Sequence, residues 1–199
     1  DPDQPGGVPA ARLRTGAALG MNPPTGPIVL VGLSGAGKTF VGRLLAQRLG
    51  FRFLDLDSEV EHLAGCSIAD LFSREGERTF RDLEEKVTRS ATVDSETVVS
   101  TGGGWMERPE LREMWPGAVR VWLRVEPESA VSRLAQERST RPLLAGPDPE
   151  LALRRLLAER LAAYEMAEIA VRTDGLPPEA VVAAILDRLA EAGRQPATP

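Results

Sequence analysis

The feature that most constrains this chain is the octapeptide Gly32-Leu33-Ser34-Gly35-Ala36-Gly37-Lys38-Thr39, which satisfies G-x-x-x-x-G-K-[ST]. It follows the apolar run 28–31, and after it Phe40, Val41, Leu44, Leu45 and Leu49 recur at helical spacing until Gly50. Strand, glycine loop and helix in that order are the context in which the pattern binds a mononucleotide. The glycines let successive backbone N–H groups converge on phosphate oxygens, and the helix N-terminus adds its positive end. The pattern therefore assigns ATP phosphates to Gly35, Ala36, Gly37, Lys38, Thr39 and Phe40. The Lys38 ammonium is expected at the β/γ-phosphates and the Thr39 hydroxyl at Mg²⁺. A turn that merely joins strand to helix has no need of lysine, and Lys38 is one of only two in the chain.

The rest of the chain reads as repeats of this alternation, the mark of a covered parallel sheet. Strands are expected at 28–31, 51–54, 97–100, 119–125 and 169–172. Ser58 and Glu61 are spaced as a capping box, with Gly65 placed to end that helix. Phe80, Leu83 and Val87 give another helix its stripe, and Leu153, Leu156, Leu157, Leu161 and Tyr164 give one later. Pro177-Pro178 opens a terminal helix through Leu189. Residues 1–27 hold six prolines and five glycines and are expected to be a disordered tail. One domain is expected over 28–192, with a mobile lid at 136–148 and a flexible end at 193–199.

Charge and composition remove several function classes. A net charge of -5 disfavours a nucleic-acid partner. A single cysteine, Cys66, and a single histidine, His62, exclude a disulfide framework, a Cys/His zinc site and a Cys-His catalytic pair. The sequence has neither a run of roughly 20 apolar residues nor the apolar core of a signal peptide, so no membrane partner is expected and the chain reads as cytoplasmic. The lone asparagine, Asn22, rules out a guanine-reading Asn-Lys-x-Asp. A short chain, a carboxylate pair close to the phosphate loop at Asp55 and Asp57 and a basic loop late in the sequence together suggest a small-metabolite kinase.

The motifs G-L-S-G-A-G-K-T, L-D-L-D at 54–57, S-I-A-D-L-F at 67–72 and F-R-D-L-E at 80–84 together resemble the shikimate kinase family. G-G-G at 102–104, R-P-L-L at 141–144 and E-R-x-x-x-Y at 159–164 continue the resemblance, which spans Ile28 to about Leu189. It implies a three-layer α/β/α P-loop kinase fold with a five-stranded parallel sheet, acting as a monomer in the route to chorismate and the aromatic amino acids. The implied reaction moves the γ-phosphoryl group of ATP to the 3-hydroxyl of shikimate. A gluconate-type sugar-acid kinase and a nucleotide-binding regulator without transfer activity are the alternatives.

The resemblance also implies roles. Arg81 and Arg160 bind the substrate carboxylate, Asp57 receives the reacting hydroxyl, and Gly102, Gly103 and Gly104 let the backbone approach the substrate, with Gly103 donating its N–H. Arg141 is the lid arginine that folds over the phosphates, and Asp55 supports Mg²⁺ through water. The residues by themselves agree in part. Glu84 stands three after Arg81 and can orient its guanidinium, and Arg160 lies at the edge of an apolar face, where a buried arginine needs a partner. Surface ion pairing is the plain alternative for both arginines, and helix capping is the plain alternative for Asp57. Phe72 and Phe80 fit a pocket wall or the core equally. Trp105 stands where the family usually has a small residue, and its ring either narrows the pocket or turns away.

Overall fold

A computed structural model describes residues 24–135 and 146–192. Five strands form one parallel sheet in the order β2-β3-β1-β4-β5: β1 Ile28–Val31, β2 Arg52–Asp55, β3 Thr97–Ser100, β4 Val119–Arg124 and β5 Ile169–Arg172. Central β1 is buried along its whole length, as an unbroken apolar run in a covered parallel sheet should be. It pairs with β3 on one side (Leu30 with Ser100) and β4 on the other (Val31 with Trp122). Chain order therefore reverses at β1, and the crevice beyond its carboxyl end is where such sheets bind ligands.

Among the described residues seven helices accompany the sheet: α1 Lys38–Leu49, α2 Leu56–Ala64, α3 Ile68–Ser90, α4 Pro109–Arg112, α5 Pro127–Leu134, α6 Pro149–Tyr164 and α7 Pro178–Ala192. Glycines bound α1, Gly37 at φ 89° before it and Gly50 at φ 70° after it. α3 bends at Gly76, whose φ of 80° and ψ of 175° leave the helical region. α6 begins where Asp148 accepts a hydrogen bond from Leu151 N at 2.9 Å, with Pro149 at the first helical position. Its expected stripe is buried at Leu153 and Tyr164, but Leu161 is exposed.

Several local expectations shift. The second strand lies one residue later, at Arg52–Asp55 rather than 51–54, and the fourth ends at Arg124. The helix placed after a Ser58–Glu61 capping box starts earlier, because Asp55 Oδ1 accepts from Ser58 N at 3.2 Å and caps it instead. Glu61 accepts from Ile68 N at 3.0 Å, tying α2 to the start of α3. Phe40 leaves the core stripe and is 62% exposed. Gly26 and Pro27, at the end of the stretch expected to be a tail, are buried, and Pro27 O accepts from Val119 N at 2.9 Å.

Trp105 turns away from the crevice. It is buried, stacks on Trp115 with ring centroids 5.6 Å apart, and donates Nε1–H to Thr88 Oγ1 at 3.3 Å. Stacking of this kind contributes about 0.5–1.5 kcal/mol beyond the area buried. A large residue is accommodated there because Trp115 and Thr88 supply a matching ring and a matching acceptor.

Candidate active site

The phosphate loop is shaped by glycines in the left-handed region, Gly35 at φ 81° and Gly37 at φ 89°. Gly35 is also closely packed, since a Cβ there would fall 2.8 Å from Ala130 O. Lys38 Nζ donates to Gly32 O at 2.8 Å and Leu33 O at 2.9 Å, so the ammonium spans the loop it belongs to. Thr39 Oγ1 donates to Asp55 Oδ2 at 2.6 Å, while the other oxygen of that carboxylate caps α2. One aspartate thus locks the loop to the end of β2, across β3 from β1. These groups open on a cavity of about 310 Å³ lined by Ser34, Lys38, Thr39, Asp57, Ser100 and Arg133, among others. Asp57, in the first turn of α2, therefore shares a cavity with the residues expected at the phosphates.

The three glycines after β3 each make room for a different charged group. A Cβ on Gly102 would stand 2.5 Å from Glu84 Oε1 and 3.1 Å from Asp57 Oδ1. One on Gly103 would stand 3.1 Å from Arg160 Nη1, and one on Gly104 2.7 Å from Arg81 Nη2. None of the three has a positive φ, so space rather than backbone conformation requires glycine here. Thr101 Oγ1 donates to Leu30 O at 3.1 Å and pins this turn to β1 beside the phosphate loop.

The charged groups are held by one another. Arg81 donates through Nη1 to Glu84 Oε2 at 3.0 Å and through Nη2 to Glu77 Oε1 at 2.9 Å, with its guanidinium over the Phe80 ring. Glu84 is buried, and its Oε1 makes no hydrogen bond among the described residues. Burial pushes its carboxyl above the ordinary value; Arg81 pulls it down and the Asp57 charge pushes further up. Arg160, 5% exposed, donates Nε–H to Glu107 Oε2 at 2.8 Å. Tyr164 OH donates to Gly103 O at 2.5 Å, and burial holds that phenol above its usual range against the pull of Arg160. Phe80 is buried against Phe72, ring centroids 5.0 Å apart, so the pair packs core as well as bordering Arg81.

A second, smaller cavity of about 170 Å³ lies behind the loop, between Gly37, Phe40, Arg133, Thr173, Leu176 and Pro178. Arg133 donates to Thr173 Oγ1 at 3.0 Å, to Thr173 O at 2.6 Å and to Gly35 O at 3.3 Å. The sequence does not point to Arg133, Thr173 or Glu107, because their partners are 40 or more residues away along the chain. Arg141 and most of the expected lid lie outside the described residues.

A hard cation suits the oxygen donors at Thr39 and Asp55. Among the described residues no group of three or more His, Cys, Asp or Glu side chains could hold a metal. The donor set fits an ion that keeps several waters and takes other ligands from phosphate, as Mg²⁺ does.

A five-stranded parallel sheet, a phosphate loop at the carboxyl end of its central strand and a carboxylate in the loop's cavity define the class of P-loop small-molecule kinases. Within that class the sequence model of shikimate kinase matches residues 34–190. A shikimate kinase of Symbiobacterium thermophilum is 46% identical over 172 residues, which is 84% of this chain and 98% of the relative. The solved shikimate kinase from Acinetobacter baumannii in complex with shikimate is 34% identical with a TM-score of 0.78, covering 86% of this chain and 96% of that one. A gluconokinase from Sinorhizobium meliloti, 21% identical with a TM-score of 0.55, shares the fold alone. The chain belongs to the shikimate kinase family.

Proposed function

We propose that this protein transfers the γ-phosphoryl group of ATP to the 3-hydroxyl of shikimate, giving ADP and shikimate 3-phosphate. The observation that carries the reading is the glycine turn 102–104, which seats Asp57 with Glu84, then Arg160, then Arg81 around one short segment beside the phosphate loop. A carboxylate bearing several hydroxyls matches that spacing of charge. Arg81 and Arg160 take the substrate carboxylate, each charge-assisted contact contributing roughly 1.5–3 kcal/mol. Asp57 then faces the reacting hydroxyl, accepts its hydrogen bond and orients it toward the phosphate; Gly103 offers its N–H nearby.

On the donor side the backbone N–H groups from Gly35 to Phe40 cradle the phosphates. Lys38 exchanges the carbonyls of Gly32 and Leu33 for phosphate oxygens as ATP enters. Mg²⁺, when bound, supplies charge neutralisation at the phosphates, with Thr39 as ligand and Asp55 acting through water. The small cavity beside Arg133 and Pro178 takes the adenine base. Arg141 is assigned to the transferred phosphate, and closure of its segment excludes the water that would otherwise accept the phosphoryl group. Positioning and charge neutralisation carry most of phosphoryl transfer, which is why the site is a set of fixed charges with a single candidate base. The protein is read as a cytoplasmic monomer.

A coupled assay of ADP release with shikimate, with gluconate and with no acceptor tests the reading. Release that depends on shikimate is expected. Equal rates in all three tubes would end it, and preference for gluconate would move the chain to the sugar-acid alternative.

A further inference from the structure

The 3₁₀ turn Trp105–Glu107 follows the three glycines directly and delivers a carboxylate to Arg160. Its geometry is one-sided. Glu107 Oε2 accepts from Nε at 2.8 Å, whereas Nη1 of the same guanidinium lies against Gly103, 3.1 Å from where a Cβ would stand. A guanidinium is planar and rigid, so fixing Nε fixes the direction of both Nη groups. The Gly103 peptide is held in turn by Tyr164, one helical turn beyond Arg160 on α6. We infer that Glu107 is a positioning residue for the acceptor: it holds Arg160 by Nε and thereby aims the Nη edge at the glycine turn, where the substrate carboxylate is received.

The inference rests on the role proposed for Arg160 above. The opposite role for Glu107 would be to compete with the substrate for the arginine. A competitor would occupy the Nη edge that an incoming carboxylate needs, and Glu107 occupies Nε. The guanidinium also needs a partner there, since Arg160 is 5% exposed and a buried donor left unpaired is costly. Glu107 is 39% exposed on its side chain, so its own charge stays partly hydrated. Orientation and competition then predict opposite signs on removing the carboxylate.

Steady-state kinetics of the full chain with Glu107→Ala and Glu107→Gln separate them. With Ala, KM for shikimate should rise about threefold to tenfold, a range discounted for the exposure of Glu107, while kcat and KM for ATP stay within about twofold. Gln keeps an oxygen that accepts from Nε and should restore most of the affinity. A lower or unchanged KM in the Ala variant would overturn the inference, and so would a Gln variant as impaired as Ala. A wild-type protein inactive on shikimate would instead remove the proposed function beneath it.

Discussion

The two halves of the candidate site are built by different means. The donor half comes from consecutive residues, and most of its working groups are backbone N–H, shaped by the positive-φ glycines Gly32, Gly35 and Gly37 and locked to β2 by the Thr39–Asp55 hydrogen bond. The acceptor half takes side chains from α2, α3, the 3₁₀ turn and α6, and its charges hold one another: Arg81 with Glu77 and Glu84, Arg160 with Glu107. A loop of peptide donors is preorganised by local conformation. A site of side chains has to be preorganised by pairing, so perturbing one member is felt by its partners.

The largest expected effect is on the donor side, where one side chain carries charge that the backbone cannot replace. Lys38→Ala should lower kcat by roughly 10²–10³-fold, the scale for losing one preorganised electrostatic contact at a transferred charge. The change in shikimate affinity, read by calorimetry without nucleotide, should be small. A folded variant keeping more than about a tenth of wild-type kcat would take Lys38 out of the transfer step.

Next comes Arg160→Ala, which should raise KM for shikimate by about 10- to 100-fold through loss of a charge-assisted contact. ATP binding, titrated without acceptor, should be unchanged, because Arg160 is held by Glu107 beside the glycine turn rather than among the groups assigned to the phosphates. If both ligands weaken alike, the halves are not separable. Gly104→Ala probes the same half more gently. The added Cβ would meet three guanidinium atoms of Arg81 at 2.7–2.9 Å and push that group aside. KM for shikimate should rise by about tenfold, with thermal stability nearly unchanged because the displaced atoms end a flexible side chain. An unaltered KM would show that Arg81 need not stay where Glu77 and Glu84 hold it.

The same contrast decides what was legible in the sequence. The phosphate loop and its flanking strand and helix follow from local chemistry, and the parallel sheet follows from the repeated pattern. Arg81 with Glu84 is also within local reach at three residues apart. Arg160 with Glu107, 53 residues apart, and Arg133 with Thr173, 40 apart, depend on how α5, α6 and β5 are carried by the sheet. No spacing rule reaches that far. Phe40 misleads because helical period marks a face without saying whether protein or an empty cavity covers it. The three glycines read from the sequence as access for substrate; what the sequence does not show is that a Cβ at each would also meet Glu84, Asp57, Arg160 or Arg81.

The smallest effect concerns Glu84, the most deeply buried member of the acceptor network. Its carboxyl sits above the ordinary value because burial outweighs the attraction of Arg81 and Asp57 adds repulsion. A group whose value is raised on folding binds its proton more tightly in the folded state. Its contribution to stability is therefore fully present below the unfolded-state value and is lost as pH rises through the folded-state value. Glu84→Gln, neutral at every pH, lacks that loss. In urea titrations over about pH 4–8, the difference in unfolding free energy should move in favour of the Gln variant as pH rises. Movement in favour of wild type would mean that the Arg81 ion pair outweighs burial at this position. A flat difference would mean the two cancel.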